Sequence, residues 1–239
     1  MKRTARHCTN PARRLAVRVS GIAAALTCGA LGGADRAAGQ SSSYVSGQPV
    51  PPIRLERSQE IALAKSAAPA AVSTGATIHV LEGEDWVIAE KGTTGVECWV
   101  ARSRPNSIEP HCFDAEGAAT ILPIHMHEAR LQLQGRSKAE IDGEIAAGLV
   151  SGRFRLPARP AMSYMMSAGQ VLVSDEGQNV GRWHPHLMIY YPYLKAESLG
   201  LYGEASTDAA IVVDPGKALS NIMIVVHSFV DPVTGDPGK

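Results

Sequence analysis

Beyond residue 39 the chain has no apolar run long enough to cross a bilayer, which takes about 20 residues. It has no basic excess there either. The first 39 residues carry seven of the 23 Lys and Arg and one of the 23 Asp and Glu, so the remainder holds 16 basic and 22 acidic residues, a net of −6. A domain of that charge has no electrostatic footprint for nucleic acid. There is no Gly-x-Ser-x-Gly elbow and no Ser-x-x-Lys, which argues against a serine nucleophile. Tyr191 and Lys195 make a Tyr-x-x-x-Lys spacing, but no Gly-rich dinucleotide loop accompanies it. His127-Glu128 lacks the second histidine of a zinc-protease helix, because position 131 is Leu131. No internal repeat or low-complexity stretch stands out.

What is present begins with a basic front end, Lys2, Arg3, Arg6, Arg13, Arg14 and Arg18, followed by the apolar, small-residue segment Val19 to Leu31 and by Ala37-Ala38-Gly39-Gln40. That pattern predicts an export signal over 1–39. Arg13-Arg14 invites a twin-arginine reading that the next residues fit poorly. A lipoprotein reading would need a leucine three before Cys28, where Ala25 stands instead. Residues 40–57 are predicted to be a flexible lead-in, 58–230 a single globular domain with a sizeable core, and 231–239 a loose Pro/Gly tail. Outside the signal only Cys98 and Cys112 remain. In an oxidising compartment an even pair predicts a disulfide; the alternative is a cysteine nucleophile working with His111 or another histidine.

Ser58 can cap a helix from Gln59 to Ala68, stopped by Pro69. From Ala76 the apolar period becomes two. Thr77 to Leu81, Trp86 to Ala89 and Val96 to Arg102 read as three strands joined by the turns Glu82-Gly83-Glu84-Asp85 and Lys91 to Gly95, an antiparallel meander. His79 on the first of these strands reads as structural. Ser103 to Gly117 reads as an exposed loop, stapled back by the disulfide, that would hold Arg102, Arg104, Glu109, His111 and Asp114 either as a binding site or as ordinary solvated charges. Pro123 suits the first turn of a helix through Gln134 that Gly135 can end. On it His125 and His127 point about 200° apart. Ser137 with Glu140 is a capping box for a second helix, 138–149, whose Ile141, Ile145 and Leu149 form one stripe. Arg153, Arg155 and Arg159 follow in a Pro-bounded stretch, either an anion fork or surface counter-charges. Met162, Met165 and Met166 read as core filler. Strands are expected at 170–173, 187–191, 209–213 and 221–230. The order predicts an α+β fold: a mostly antiparallel sheet covered by a helical hairpin, with one disulfide.

The candidate site lies at Gly181 to Tyr193. In an extended chain His184 and His186 share a face with Met188 and Tyr190, and Pro185 between them breaks the ladder and marks an opening. With His227, if its strand neighbours theirs, these imidazoles would form a metal site of the kind zinc takes. Glu204 and Asp208 are the carboxylate candidates, and Arg182 and Tyr190 the substrate-binding ones. The bland alternative is a structural pair beside Trp183. Two functions remain: an exported, non-catalytic domain that binds a small molecule or cell-envelope component, which is the preferred expectation, and a small metal-dependent hydrolase built on His184, His186 and His227.

Overall fold

The computed structural model describes residues 51–174, 177–200 and 210–234. The expected export signal, Glu204, Asp208 and the end of the tail lie outside the described residues. The chain combines helices with a mixed eight-stranded sheet. Its strands are β1 (Thr77–Glu82), β2 (Asp85–Glu90), β3 (Glu97–Ala101), β4 (Glu109–Phe113), β5 (Ala161–Met165), β8 (His186–Tyr190), β9 (Ile211–Val213) and β10 (Asn221–Val225); β6 (Leu172–Val173) and β7 (Asn179–Gly181) make a separate two-stranded ribbon. The large sheet runs β2-β1-β3-β4-β5-β8-β10-β9.

The expected meander is corrected. β1 and β2 form the antiparallel hairpin, but β3 pairs with β1, in parallel, rather than with β2. The connection after β2 therefore passes beneath the start of β1. Gly92 makes that crossing: a Cβ there would stand 2.2 Å from the Gly75 carbonyl oxygen and 2.3–2.4 Å from Ala76 C and Thr77 N. The Gly92 N–H donates to Thr77 Oγ1, and the Thr77 N–H in turn donates to the Val96 carbonyl. Turn composition alone signals a reversal; the absent side chain at position 92 is what lets the chain pass under β1.

The expected exposed loop is also corrected. Only its first part is a turn; Glu109–Phe113 is β4, antiparallel to β3, and its last four residues are buried. Pro110 sits at its second position. Cys98 and Cys112 are directly opposed across the β3–β4 ladder, at disulfide distance, with Cα atoms 4.0 Å apart. Arg102 is fully buried rather than solvated. Its guanidinium donates to the Val100 carbonyl and pairs at 3.4 Å with Glu60.

Helices lie on both faces of this sheet. One face is met by α1 (Arg57–Lys65), which begins one residue before Ser58 and is followed by the short α2 (Ala70–Ser73); the N-cap of α1 is Glu56, with no side-chain cap bond. Leu63, Ala64, Ala67 and Ala68 pack there on Ile78, Cys98, Val100 and Cys112. The other face is met by α3 (Ala115–Thr120) and α4 (Leu122–Leu133), whose Ala118, Leu122, Ala129 and Leu133 join Trp99, Phe113, Met188 and Tyr190 in a second core. α5 (Lys138–Val150), started by the Ser137–Glu140 capping box, packs through Ile141 and Ile145 with Ile124 and Leu131 of α4 and with Phe154. Alternation along each strand divides the residues between the two cores. The apolar burial on each face supplies the main stabilisation.

Candidate functional site

One parity of the sheet forms the floor of a cavity. On β3 it is Trp99 and Ala101; on β4, Glu109 and His111; on β5, Met165; on β8, Met188 and Tyr190; on β9, Val213; on β10, Asn221. The register explains why these converge. Trp99 opposes His111, Met165 opposes His186, Tyr190 opposes Asn221, and Asn221 opposes Val213. The wall comes from α4. His125, Glu128, Ala129 and Gln132 are spaced i, i+3, i+4, i+7, the spacing of a single helix stripe. The cavity measures ≈ 320 Å³, at the lower end of the range for small-molecule sites.

Across it runs a line of three polar groups. Glu128 Oε2 is 2.8 Å from His125 Nδ1, and His125 Nε2 is 3.3 Å from the Tyr190 hydroxyl. A carboxylate at Nδ1 requires a proton there, so in the neutral ring Nε2 carries the lone pair and accepts from the phenol. Burial pushes the Tyr190 hydroxyl well above the usual phenol range; Ser163 offsets part of this and the Glu128 charge adds to it. Tyr190 thus stays a hydrogen-bond donor rather than a phenolate.

His111 stacks on Phe113, with ring centroids 4.1 Å apart, and its centroid is 6.2 Å from that of His125. It is 5% exposed and its Nε2 has no protein partner. Burial first, then the neighbouring His125 and His186, hold its pKa well below the ordinary imidazole value. It is a neutral ring beside the cavity. Among the described residues seven buried side-chain polar atoms lack a protein partner, and four belong to residues lining this cavity: Trp99, Arg102, His111 and Asn221. Such atoms are uncommon in native interiors, and each calls for a particular explanation.

The residues expected to form the site are placed differently. His186 starts β8 and is buried; its Nδ1 is 2.7 Å from the His184 carbonyl oxygen. Burial lowers its pKa, the bond to that carbonyl opposes this, and the His184 charge adds to the lowering. His184 is exposed, one residue ahead of Pro185 and outside the strand. Trp183 meets both rings edge-on, with centroids at 5.5 and 5.0 Å. β10 does pair with β8, but it ends at Val225, and His227 is exposed two residues further on. Among the described residues no group of three His, Cys, Asp or Glu side chains is placed to hold a metal. Arg182 donates to the Ala168 carbonyl at 3.0 Å and lies 4.5 Å over the Phe229 ring. Among the described residues of the expected set, Tyr190 alone lines the cavity.

Sequence reasoning placed His111 on an exposed loop or beside a cysteine nucleophile, treated His125 and His127 as divergent helix histidines, and gave Glu128 no role in a site. His111 was hidden by the loop-like composition around Pro110. The available signal for the others was the 125/128/129/132 stripe on α4. His127, off that stripe, is 3.2 Å from Arg153 and packs beside Phe154. Comparison of the chain with protein-family models, with curated proteins and with solved structures finds no match.

Proposed function

We propose that this chain is an exported domain that binds a small, largely apolar molecule bearing one hydrogen-bonding group, in the cavity between α4 and the sheet. The observation that carries the reading is the Glu128–His125–Tyr190 line beside the apolar Trp99, Ala101, Ala129, Met165, Met188, Val213 and Leu219, in a cavity whose remaining lining, including Arg102, Glu109 and Asp214, is polar. Apolar sites with a few convergent polar groups are how proteins hold small ligands, since the apolar walls supply affinity and the polar groups set orientation. Export is supported by the basic front end with its apolar segment and by the Cys98–Cys112 pair at disulfide distance. No helix among the described residues is long and apolar enough to cross a membrane.

The test is a fragment screen by thermal shift on the purified protein, repeated on Ala129→Leu, which fills the cavity from the helix side. Fragments should raise the melting temperature of the parent and lose that effect in the variant. Fragments whose effect survives in Ala129→Leu bind elsewhere, and that outcome would overturn the reading.

A further inference from the structure

We propose that the cavity is also a catalytic site: His125 is a general base and Tyr190 the donor to a carbonyl oxygen, so that the protein moves a proton to and from the carbon next to the carbonyl of a small apolar ketone. This rests on the cavity reading above.

The geometry selects this chemistry among those open to a base and a donor. His125 Nε2 and the Tyr190 hydroxyl stand 3.3 Å apart. In a ketone the carbonyl oxygen and the α-carbon are about 2.4 Å apart, given C=O and C–C bonds of about 1.2 and 1.5 Å. A base and a donor 3.3 Å from one another can therefore touch those two atoms at once. Hydrolysis would need more room. A water held within about 3 Å of the base and about 3–3.5 Å from the carbonyl carbon would put base and oxyanion donor roughly 5 Å or more apart. The i, i+3 bond from Glu128 holds the base, fixing the tautomer that leaves Nε2 free to accept. Glu128 is thus a positioning residue, while His125 and Tyr190 are the catalytic residues.

The step balances without a co-reactant. The α C–H bond breaks and its proton passes to His125 Nε2. The bonding pair becomes the C=C π bond, and the carbonyl π pair moves to oxygen, where the Tyr190 O–H, rotated away from Nε2, holds the negative charge. The imidazolium then returns a proton to the same carbon or, in an unsaturated ketone, to the far carbon of the conjugated system, and the carbonyl is restored. The net reaction is exchange or double-bond migration.

The experiment measures exchange of α-hydrogen for deuterium in acetophenone and cyclohexanone by NMR in D₂O, with the purified protein. Saturation transfer on the same samples reports whether each probe is bound. Exchange above buffer is expected, falling on the order of 10²-fold or more in His125→Gln. Tyr190→Phe should reduce it at least about tenfold at saturating probe. Glu128→Gln should lower the rate constant but not the KM, and should displace the pH profile, which a purely structural role would not do. Melting curves identify variants that fail to fold, and the Tyr190 and Glu128 variants then carry the decision. Probes that bind yet exchange at the buffer rate, or exchange that survives in His125→Gln, would overturn the catalytic inference and leave the binding reading standing. Probes that do not bind at all would overturn both.

Discussion

The two faces of the sheet are made by alternate residues of the same strands, yet they serve opposite ends. On the α1 face, Cys98, Val100 and Cys112 meet Leu63, Ala64, Ala67 and Ala68 in a buried interface beside the disulfide. On the α4 face, one residue along in each strand, Trp99 and His111 join Met165, Met188 and Tyr190 around a cavity of ≈ 320 Å³. Small side chains meet α1 on one face, and bulkier and polar ones line the proposed site beside α4 on the other. The buried Arg102–Glu60 pair stands at the border: Glu60 also accepts from the Leu81 N–H, and Arg102 lines the cavity.

The comparison can be broken in four ways. The largest effect is expected at that border. Arg102→Ala would leave Glu60 buried without its cation, costing about 3–5 kcal/mol, measured as a fall in the urea midpoint. Burial raises the Glu60 pKa and lowers that of Arg102, so desolvation outweighs pairing for both partners. Replacing both residues together with Leu should therefore cost less than Arg102→Ala alone. If the double change costs as much, the pair is not the reason. Next, the Cys98→Ala/Cys112→Ala double variant should lose about 3 kcal/mol for a loop of this length. The loss should appear as stability, with fragment binding on the opposite face retained at temperatures where the variant is folded.

A matched insertion sharpens the contrast. Ala64 and Ala129 are both buried, both helical and on opposite faces. Ala64→Leu should cost about 1–3 kcal/mol from overpacking. Ala129→Leu should cost within about 0.5 kcal/mol, because the cavity accepts the added carbons. Equal costs by thermal melts would mean the cavity face is no looser than the other.

The smallest effect is a slope with pH. Burial holds the folded pKa values of His111 and His186 below the ordinary imidazole value. The unfolded chain therefore binds more protons than the folded one once the pH drops below about 6.5, and stability falls with acidification there. The contribution is fully present above that value and is lost towards the lower folded pKa, at no more than about 1.4 kcal/mol per pH unit for each ring. His111→Phe should flatten the profile. A slope unchanged by the substitution would place the titration elsewhere.

Much of the scaffold was legible from local signals. The Ser137–Glu140 capping box, the β1–β2 hairpin, the proline near the start of α4 and the cysteine pair each depend on residues near in sequence or on a count of two. The site was less legible. Tyr190 was flagged for its place in an aromatic strand, but its partner His125 lies 65 residues earlier. His184 and His186 looked like a pair because alternation was carried through Pro185, whereas β8 begins only at His186.

The sequence by itself determined the β1–β2 hairpin, β3, α4, α5 and β8, though not β4 or β5, and it determined which cysteines could join and that residues two apart on a strand would share a face. Those follow from backbone propensity and periodicity, which act within a few residues. Which strands became neighbours, and so which histidine met which tyrosine, was decided only by the tertiary structure. Gly92 let the β2–β3 connection cross the start of β1, and α4 lies across the face this order created. Long-range pairing of that kind depends on how whole surfaces pack, and no local pattern encodes it.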